Sequence, residues 1–185
     1  MEQDEERGLI TRAQSDPEAF GELYRRYVGR IYNYHYRHTG NPIEAEDLTS
    51  RTFYRTLRGI KSYREKGASF QAWLFRIAHN LVVNWYRDIS RHPSVAIDTA
   101  LPFHSPARAP NDYVEAQEER ALLQQMLADL PEDRKTLLIL KFVEQMSNIE
   151  IAVVMGKSEG AIKALYHRTL TSLRDMIPEG WLDEV

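Results

Sequence analysis

The stretch SNIEIAVVMGKSEGAIKALYHRTLTSLR, Ser147 to Arg174, reads as two short helices set at an angle across a glycine. Ser147 and Glu150 have the S-x-x-E spacing of a capping box, which starts a helix near Asn148. Gly156 ends that helix after about two turns, because glycine takes the left-handed backbone that a steep turn demands. Ser158 caps the second helix. Ile151, Ala152 and Met155 on the first helix face Ile162 and Leu165 on the second, and the small Ala152 permits a close crossing. Glu159, Lys163, His167 and Arg174 fall away from that apolar face, where side chains enter a major groove. Lys157, Lys163, Arg168 and Arg174 against Glu159 give a local net charge of +3, suited to phosphates. An ordinary helical hairpin shares the caps; the basic outer face favours a DNA-binding helix-turn-helix.

Working outward, the whole chain reads as helical. Pro131 starts a helix carrying Leu137, Leu138, Leu140 and Phe142. Upstream of it, Asp112 and Glu115 resemble another capping box. The segment from Pro93 to Pro110 holds four of the eight prolines and little periodicity, so it reads as a linker. Before it, Asp16-Pro17 opens a helix with Phe20, Leu23, Tyr24, Tyr27, Val28, Ile31 and Tyr32 at helical spacing. Gly40 ends it and Asn41-Pro42 opens the next, which stops at Gly59. The polar stretch Gly59 to Ser69 reads as a loop. Ser69 caps a long helix with Phe70, Trp73, Leu74, Ile77, Leu81 and Trp85 on one stripe, ended by His92-Pro93. The expected fold class is all-α, two small helical domains joined by a flexible linker. The boundaries are 1–92 for the first domain, 93–111 for the linker, 112–177 for the second domain and 178–185 for a tail.

Composition narrows the function. The 185 residues include no cysteine, which excludes disulfides and thiolate metal sites. At 43% hydrophobic residues, the chain has enough apolar surface for packed cores. No segment reaches the roughly 20 apolar residues of a membrane span, and the acidic start (Glu2, Asp4, Glu5, Glu6) is the reverse of a signal peptide. The expected location is the cytoplasm, without membrane insertion. The net charge of −3 hides a strong asymmetry: residues 51–95 carry 9 basic and 2 acidic side chains, while the segments around them are net acidic. One basic block in an acidic chain points to a localised polyanion-facing surface.

With these residues in place, the chain resembles the extracytoplasmic-function class of bacterial sigma factors in the sigma-70 family. Leu127 to Arg174 (LADLPEDRKTLLILKFVEQMSNIEIAVVMGKSEGAIKALYHRTLTSLR) is similar to that family's fourth region, which binds the upstream promoter element. Asp16 to Tyr34 (DPEAFGELYRRYVGRIYNY), Asn41 to Arg58 (NPIEAEDLTSRTFYRTLR) and Ser69 to Arg87 (SFQAWLFRIAHNLVVNWYR) are similar to its second region. The resemblance covers more than half of the chain, in the family's order. It implies a factor that directs core RNA polymerase to specific promoters and starts transcription. Its partners are then the core polymerase (the β′ clamp helices and the β flap), promoter DNA and an anti-sigma factor. It implies no cofactor, no metal and no small-molecule substrate.

The resemblance also implies residue roles. The family's Asp-Leu-Thr contact to the β′ clamp helices maps to Asp47, Leu48 and Thr49, with Phe53 one turn further. Lys61, Ser62, Tyr63, Arg64, Glu65 and Lys66 match the loop that accepts a base flipped from the non-template strand. There Tyr63 offers a stacking face, and Lys61, Arg64 and Lys66 offer phosphate contacts. Arg76, His79, Asn80, Asn84 and Arg87, with Arg91, lie off the apolar stripe of the following helix. Asn80 matches the family's Ala-Arg-Asn position, and His79 stands where arginine is common. In the upstream module the candidates are Lys157, Ser158, Glu159, Lys163, His167, Arg168 and Arg174. Leu165 stands where the family often has arginine, so Leu165 packs and base reading shifts to Lys163 and His167.

Two other classes compete. A helix-turn-helix repressor or activator with a helical sensor domain shares the C-terminal motif but leaves the basic block unexplained. An enzyme with a metal at His35 and His38, near Glu44, Glu46 and Asp47, is the second. The histidines instead read as surface or interface residues, and no Gly-rich phosphate loop, H-E-x-x-H or nucleophile motif is present.

Overall fold

The computed structural model describes residues 2–65, 67–91 and 130–176. Seven α-helices and two short irregular turns account for nearly all of these residues, with no strand among them. The contacts divide the chain into two compact units, the first holding the helices up to Arg91 and the second most of those from Glu132 onward. The expected linker, the Asp112 cap, Lys66 and the tail lie outside the described residues. Among the described residues no helix is long and apolar enough to cross a membrane.

In the first unit, α1 spans Glu2–Ala13, α2 Pro17–Thr39, α3 Pro42–Gly59 and α4 Phe70–Arg91. The chain punctuation behaves as its chemistry requires. Asp16 accepts from the Glu18 amide at 2.9 Å, and Pro17 sits where no amide donor is needed. Gly40 takes φ 61° and its amide returns to the Tyr36 carbonyl, while Asn41 caps α3 through the Ile43 and Glu44 amides. Helix α1 was not separately delimited by the sequence reading, although Leu9, Ile10 and Ala13 are buried. The core of the unit runs along α2 at Ala19, Leu23, Tyr27, Ile31, Tyr34 and His38, steps of three or four residues that keep one face inward.

Two features depart from expectation. First, His35 and His38 are not surface residues: both are buried, because they continue the Leu23–Tyr27–Ile31 stripe in phase. Second, the α4 stripe is turned. Phe70, Leu74, Phe75, Ala78, Leu81 and Val82 are buried, whereas Trp73, Ile77 and Trp85 flank the core half-buried. Trp85 uses that position to donate its indole N–H to Glu44 at 2.9 Å. The buried threonines of α3 satisfy themselves: Thr49, Thr52 and Thr56 each donate to the carbonyl four residues earlier, at 2.6–2.8 Å. Thr52 Oγ1 also lies 3.0 Å from His35 Nε2. Its own proton is given to Leu48, so the hydroxyl accepts from the imidazole, which is the neutral Nε2–H tautomer.

In the second unit, α5 spans Glu132–Leu138, α6 Asn148–Met155 and α7 Glu159–Met176. The helix from Pro131 ends sooner than Leu140 and Phe142 suggested. Residues Ile139–Val143 form a π-helical turn in which the Glu144 amide reaches the Ile139 carbonyl, and Gln145 follows at φ 54°. Leu140 is buried by this change of pitch, and Phe142 is left more than half exposed.

Candidate nucleic-acid interface

The capping box at Ser147 is reciprocal. Ser147 N and Oγ both donate to Glu150 Oε2, at 2.9 and 2.8 Å, and the Glu150 amide donates to Ser147 Oγ at 3.3 Å. Gly156 turns at φ 63°, with its successor's amide returning to the Ala152 carbonyl, and Ser158 Oγ accepts from the Ala161 amide. Ile151, Ala152, Ile162 and Leu165 are buried as the apolar-face reading requires; Met155 is only half-buried, and Val154 is buried in addition. Leu165 is therefore a packing residue. On α7 and the turn before it the opposite face is open: Lys157, Ser158, Lys163, His167, Arg168 and Arg174 are exposed. Glu159 is half-buried and holds Lys163 at 2.7 Å, one helical turn away. Such an exposed pair contributes less than about 1 kcal/mol, so it orients Lys163 without locking it.

In the first unit the candidate surface is built differently. After α3, Ile60–Ser62 form a 3-10 turn, and a short loop leads to α4. Tyr63 departs most from its expected role. Its ring is 8% exposed, packed against Phe70 (centroids 5.5 Å apart) and Trp73 (4.8 Å). Burial raises its phenol to about 12. The stacking face expected of Tyr63 is covered by its own neighbours. Trp73 also crowds Gly59, where a Cβ would meet the indole at 3.1 Å. Gly59, Ser62, Tyr63, Arg64 and Trp73 line a concavity of about 390 Å³.

Around that anchor the polar groups face outward. Lys61, Ser62 and Arg64 are exposed, and Arg64 Nη1 is braced by the carbonyls of Tyr63 (2.7 Å) and Lys61 (3.2 Å). Arg76, Asn80, Arg87 and Arg91 are exposed along α4, spaced so that they form one stripe. His79 does not join them: it is half-buried, with Nδ1 3.0 Å from the Tyr34 hydroxyl. Asn84 is half-buried as well.

The Asp-Leu-Thr segment of α3 divides between surface and core. Asp47 is exposed and pairs with Arg51 at 3.3 Å. Leu48, Thr49 and Phe53 are buried, Phe53 edge-on against Tyr24 at 4.7 Å. Leu48 and Thr49, one and two positions from Asp47, and Phe53, six positions on, all turn inward on the helix. The outward face carries Ile43, Asp47, Ser50, Tyr54 and Leu57 instead, with Ile43 75% and Tyr54 62% exposed. The sequence reading missed these apolar outward residues, although their three- and four-residue spacing from Asp47 was visible.

No described residues bring three histidine, aspartate or glutamate side chains together in a metal-holding group. His35, the centre of the metal alternative, is pushed down to about 3 by burial and by neighbouring His38, and its Nε2 is engaged with Thr52.

Comparison with known proteins agrees with this division. Sigma-70 region 2 matches residues 23–92, and Sigma-70, region 4 matches residues 120–173. The chain is 37% identical over 172 residues to the ECF RNA polymerase sigma factor BldN of Streptomyces coelicolor, covering 92% of this chain and 65% of that protein. It is 31% identical over 172 residues to the ECF RNA polymerase sigma factor SigW of Bacillus subtilis, covering 89% of this chain and 91% of that one. Among solved structures, CnrH in complex with the cytosolic domain of CnrY matches with a TM-score of 0.65 at 24% identity, covering 92% of this chain and 95% of that one. The sigma factor RpoE in complex with the anti-sigma factor NepR from Bartonella quintana matches at 0.63 and 22%, covering 85% and 95%; both likenesses concern the fold. With two family regions in their proper order and a relative matched over nine tenths of its length, the chain belongs to the extracytoplasmic-function (ECF) class of sigma-70 RNA polymerase sigma factors.

Proposed function

We propose that this chain directs core RNA polymerase to specific promoters and starts transcription there, as a cytoplasmic binding protein rather than an enzyme. The observation that carries the reading is the basic surface of the first unit. Lys61 and Arg64 are exposed beside an aromatic-walled concavity, and Arg76, Asn80 and Arg87 are exposed along α4. A polyanion tracks the cations, and an unstacked base enters the concavity beside Trp73 and the edge of Tyr63. Opening DNA without a fuel molecule needs such a captured base to offset lost stacking.

The first domain, 1–92, binds the polymerase and melts the downstream element. The outward face of α3, with Asp47 between Ile43 and Tyr54, meets the β′ clamp helices. The second domain, 112–177, reads the upstream element through Lys163 and His167, with Lys157, Ser158, Arg168 and Arg174 on the backbone; its remaining polymerase contact is the β flap. The segment 93–111 tethers them, so each binding event raises the effective concentration of the other. An anti-sigma factor covering these surfaces is the expected regulator. The overall negative charge suppresses nonspecific DNA binding until the polymerase delivers the chain.

Run-off transcription with purified core polymerase over genomic fragments tests the reading. Promoter-specific transcripts that depend on the chain are expected. A repressor or a sensor protein yields none, and that result overturns the proposal.

A further inference from the structure

Glu65 is the single acidic residue between Arg51 and Arg87. A carboxylate on a surface built for phosphates repels the ligand unless something neutralises it. Here Arg7 of α1 does so from 58 residues away: Nε donates to Oε2 at 3.0 Å and Nη2 donates to Oε1 at 3.2 Å, a two-point fork. Just past the end of α1, Gln14 reaches the same loop. Its Nε2 donates to the Tyr63 carbonyl at 2.9 Å, the carbonyl that also holds Arg64 Nη1. Arg7 and Gln14 are seven residues apart, about two turns, so both face the loop. The helix itself is tied to the core below: the Tyr27 hydroxyl donates to Glu6.

We infer that α1 braces the base-capturing loop, with Arg7 and Gln14 acting as positioning residues through Glu65 and the Tyr63 carbonyl. This rests on the reading of residues 61–65 as the downstream-element contact. A loop already held in its bound shape has less conformational freedom to lose when a base enters, so the difference between right and wrong bases is expressed fully. Arg64 is the side chain most affected, because it shares its anchoring carbonyl with Gln14. Neither Arg7 nor Gln14 belongs to the basic surface, so their contribution would be to selectivity rather than to affinity for DNA in general.

The test uses the full chain with core polymerase on a promoter found by run-off mapping. The variants are Gln14→Ala, Arg7→Glu, Glu65→Arg and the charge-swapped pair Arg7→Glu with Glu65→Arg. The readout is the ratio of opening rates between the preferred downstream element and single-base substitutions of it. Competition for core polymerase serves as the control for folding. Loss of one hydrogen bond predicts about a fivefold fall in that ratio for Gln14→Ala. Loss of an exposed ion pair predicts about a threefold fall for Arg7→Glu, and the swapped pair returns toward wild type. A merely structural role lowers the active fraction on every template alike and leaves the ratio unchanged. An unchanged ratio in all three single variants, or a swapped pair as impaired as Arg7→Glu, overturns the brace. If the wild-type chain discriminates and the variants do too, only the brace fails; if the wild type starts no transcription, the proposed function fails with it.

Discussion

The two regions proposed to face DNA are built on opposite plans. On α7 the polar side chains stand on a bare helix: Lys163, His167 and Arg174 project from a face whose only duty is to be straight, while Ile162, Leu165 and Thr169 hold the other side. In the first unit Lys61, Ser62 and Arg64 sit on a turn and a loop that have no regularity of their own. They are fixed from beneath by Tyr63, Phe70 and Trp73 and from the side by Gln14 and Arg7. A helix supplies duplex-reading geometry at no further cost, since the major groove accepts it as it stands. Capturing an unpaired base requires a concave surface, and a concave surface needs a core of its own.

The contrast has measurable consequences. The largest is at Tyr63. Tyr63→Ala removes a buried ring and is expected to destabilise the first unit by about 3 kcal/mol in denaturant unfolding, with promoter opening lost alongside. Tyr63→Phe retains both, because the hydroxyl makes only a 3.5 Å contact to the Ala68 carbonyl. If Tyr63→Ala unfolds like wild type yet fails to open promoters, the ring is a free stacking face after all and the contrast collapses.

Acid separates the units next. His35 is held neutral, its pKa lowered to about 3 chiefly by burial and then by His38. Around it stand Thr52 of α3, Tyr34 and His38 of α2, with His79 and Tyr86 of α4 contacting those two. The unfolded chain protonates this histidine near 6.5 and the folded chain does not, so stability is complete above that value and falls as pH drops toward 3. Between pH 6.5 and 5 the loss is about 2 kcal/mol for one such group. The described second unit has His167 alone, which is exposed. Circular dichroism melts of the two units should therefore diverge below pH 6.5, and His35→Gln should flatten the first unit's pH dependence.

On α7 the expectation reverses that for Tyr63. Lys163→Ala and His167→Ala should leave unfolding within about 0.5 kcal/mol of wild type. Each should reduce transcription from promoters that depend on the upstream element by about tenfold. The smallest effect belongs to Ser147→Ala. Losing the reciprocal cap should cost about 1 kcal/mol of second-unit stability, with the order of preference among upstream sequences unchanged in a binding selection.

Much of this was legible from the residues. Helix starts and stops were set by local chemistry: Asp16-Pro17, Gly40, Asn41-Pro42, Ser147 with Glu150, Gly156 and Ser158 each act within a few residues of themselves, so no tertiary information was needed. The packing role of Leu165 followed from its spacing to Ile162. The buried histidines were legible in principle, since His35 and His38 extend the Leu23–Tyr27–Ile31 register, but a polar residue type argued against the phase. The π-helical turn at Ile139–Val143 had no local signal, because it serves the burial of Leu140 rather than any preference of the segment itself.

By itself the amino-acid sequence determined the all-helical architecture, the order of the two regions, the basic block and the membership in a promoter-recognition family. Those rest on periodicity, capping and motif spacing, which are properties of neighbours along the chain. Only the tertiary structure decided which members of each motif are available to a partner. It turned Leu48, Thr49 and Phe53 inward and left Asp47 out, buried the ring of Tyr63, drew His79 onto Tyr34, and set Arg7 and Gln14 against a loop that lies some fifty residues away. Which side of a helix meets another helix is set by contacts between distant segments, and a spacing rule that reads one segment at a time cannot express them.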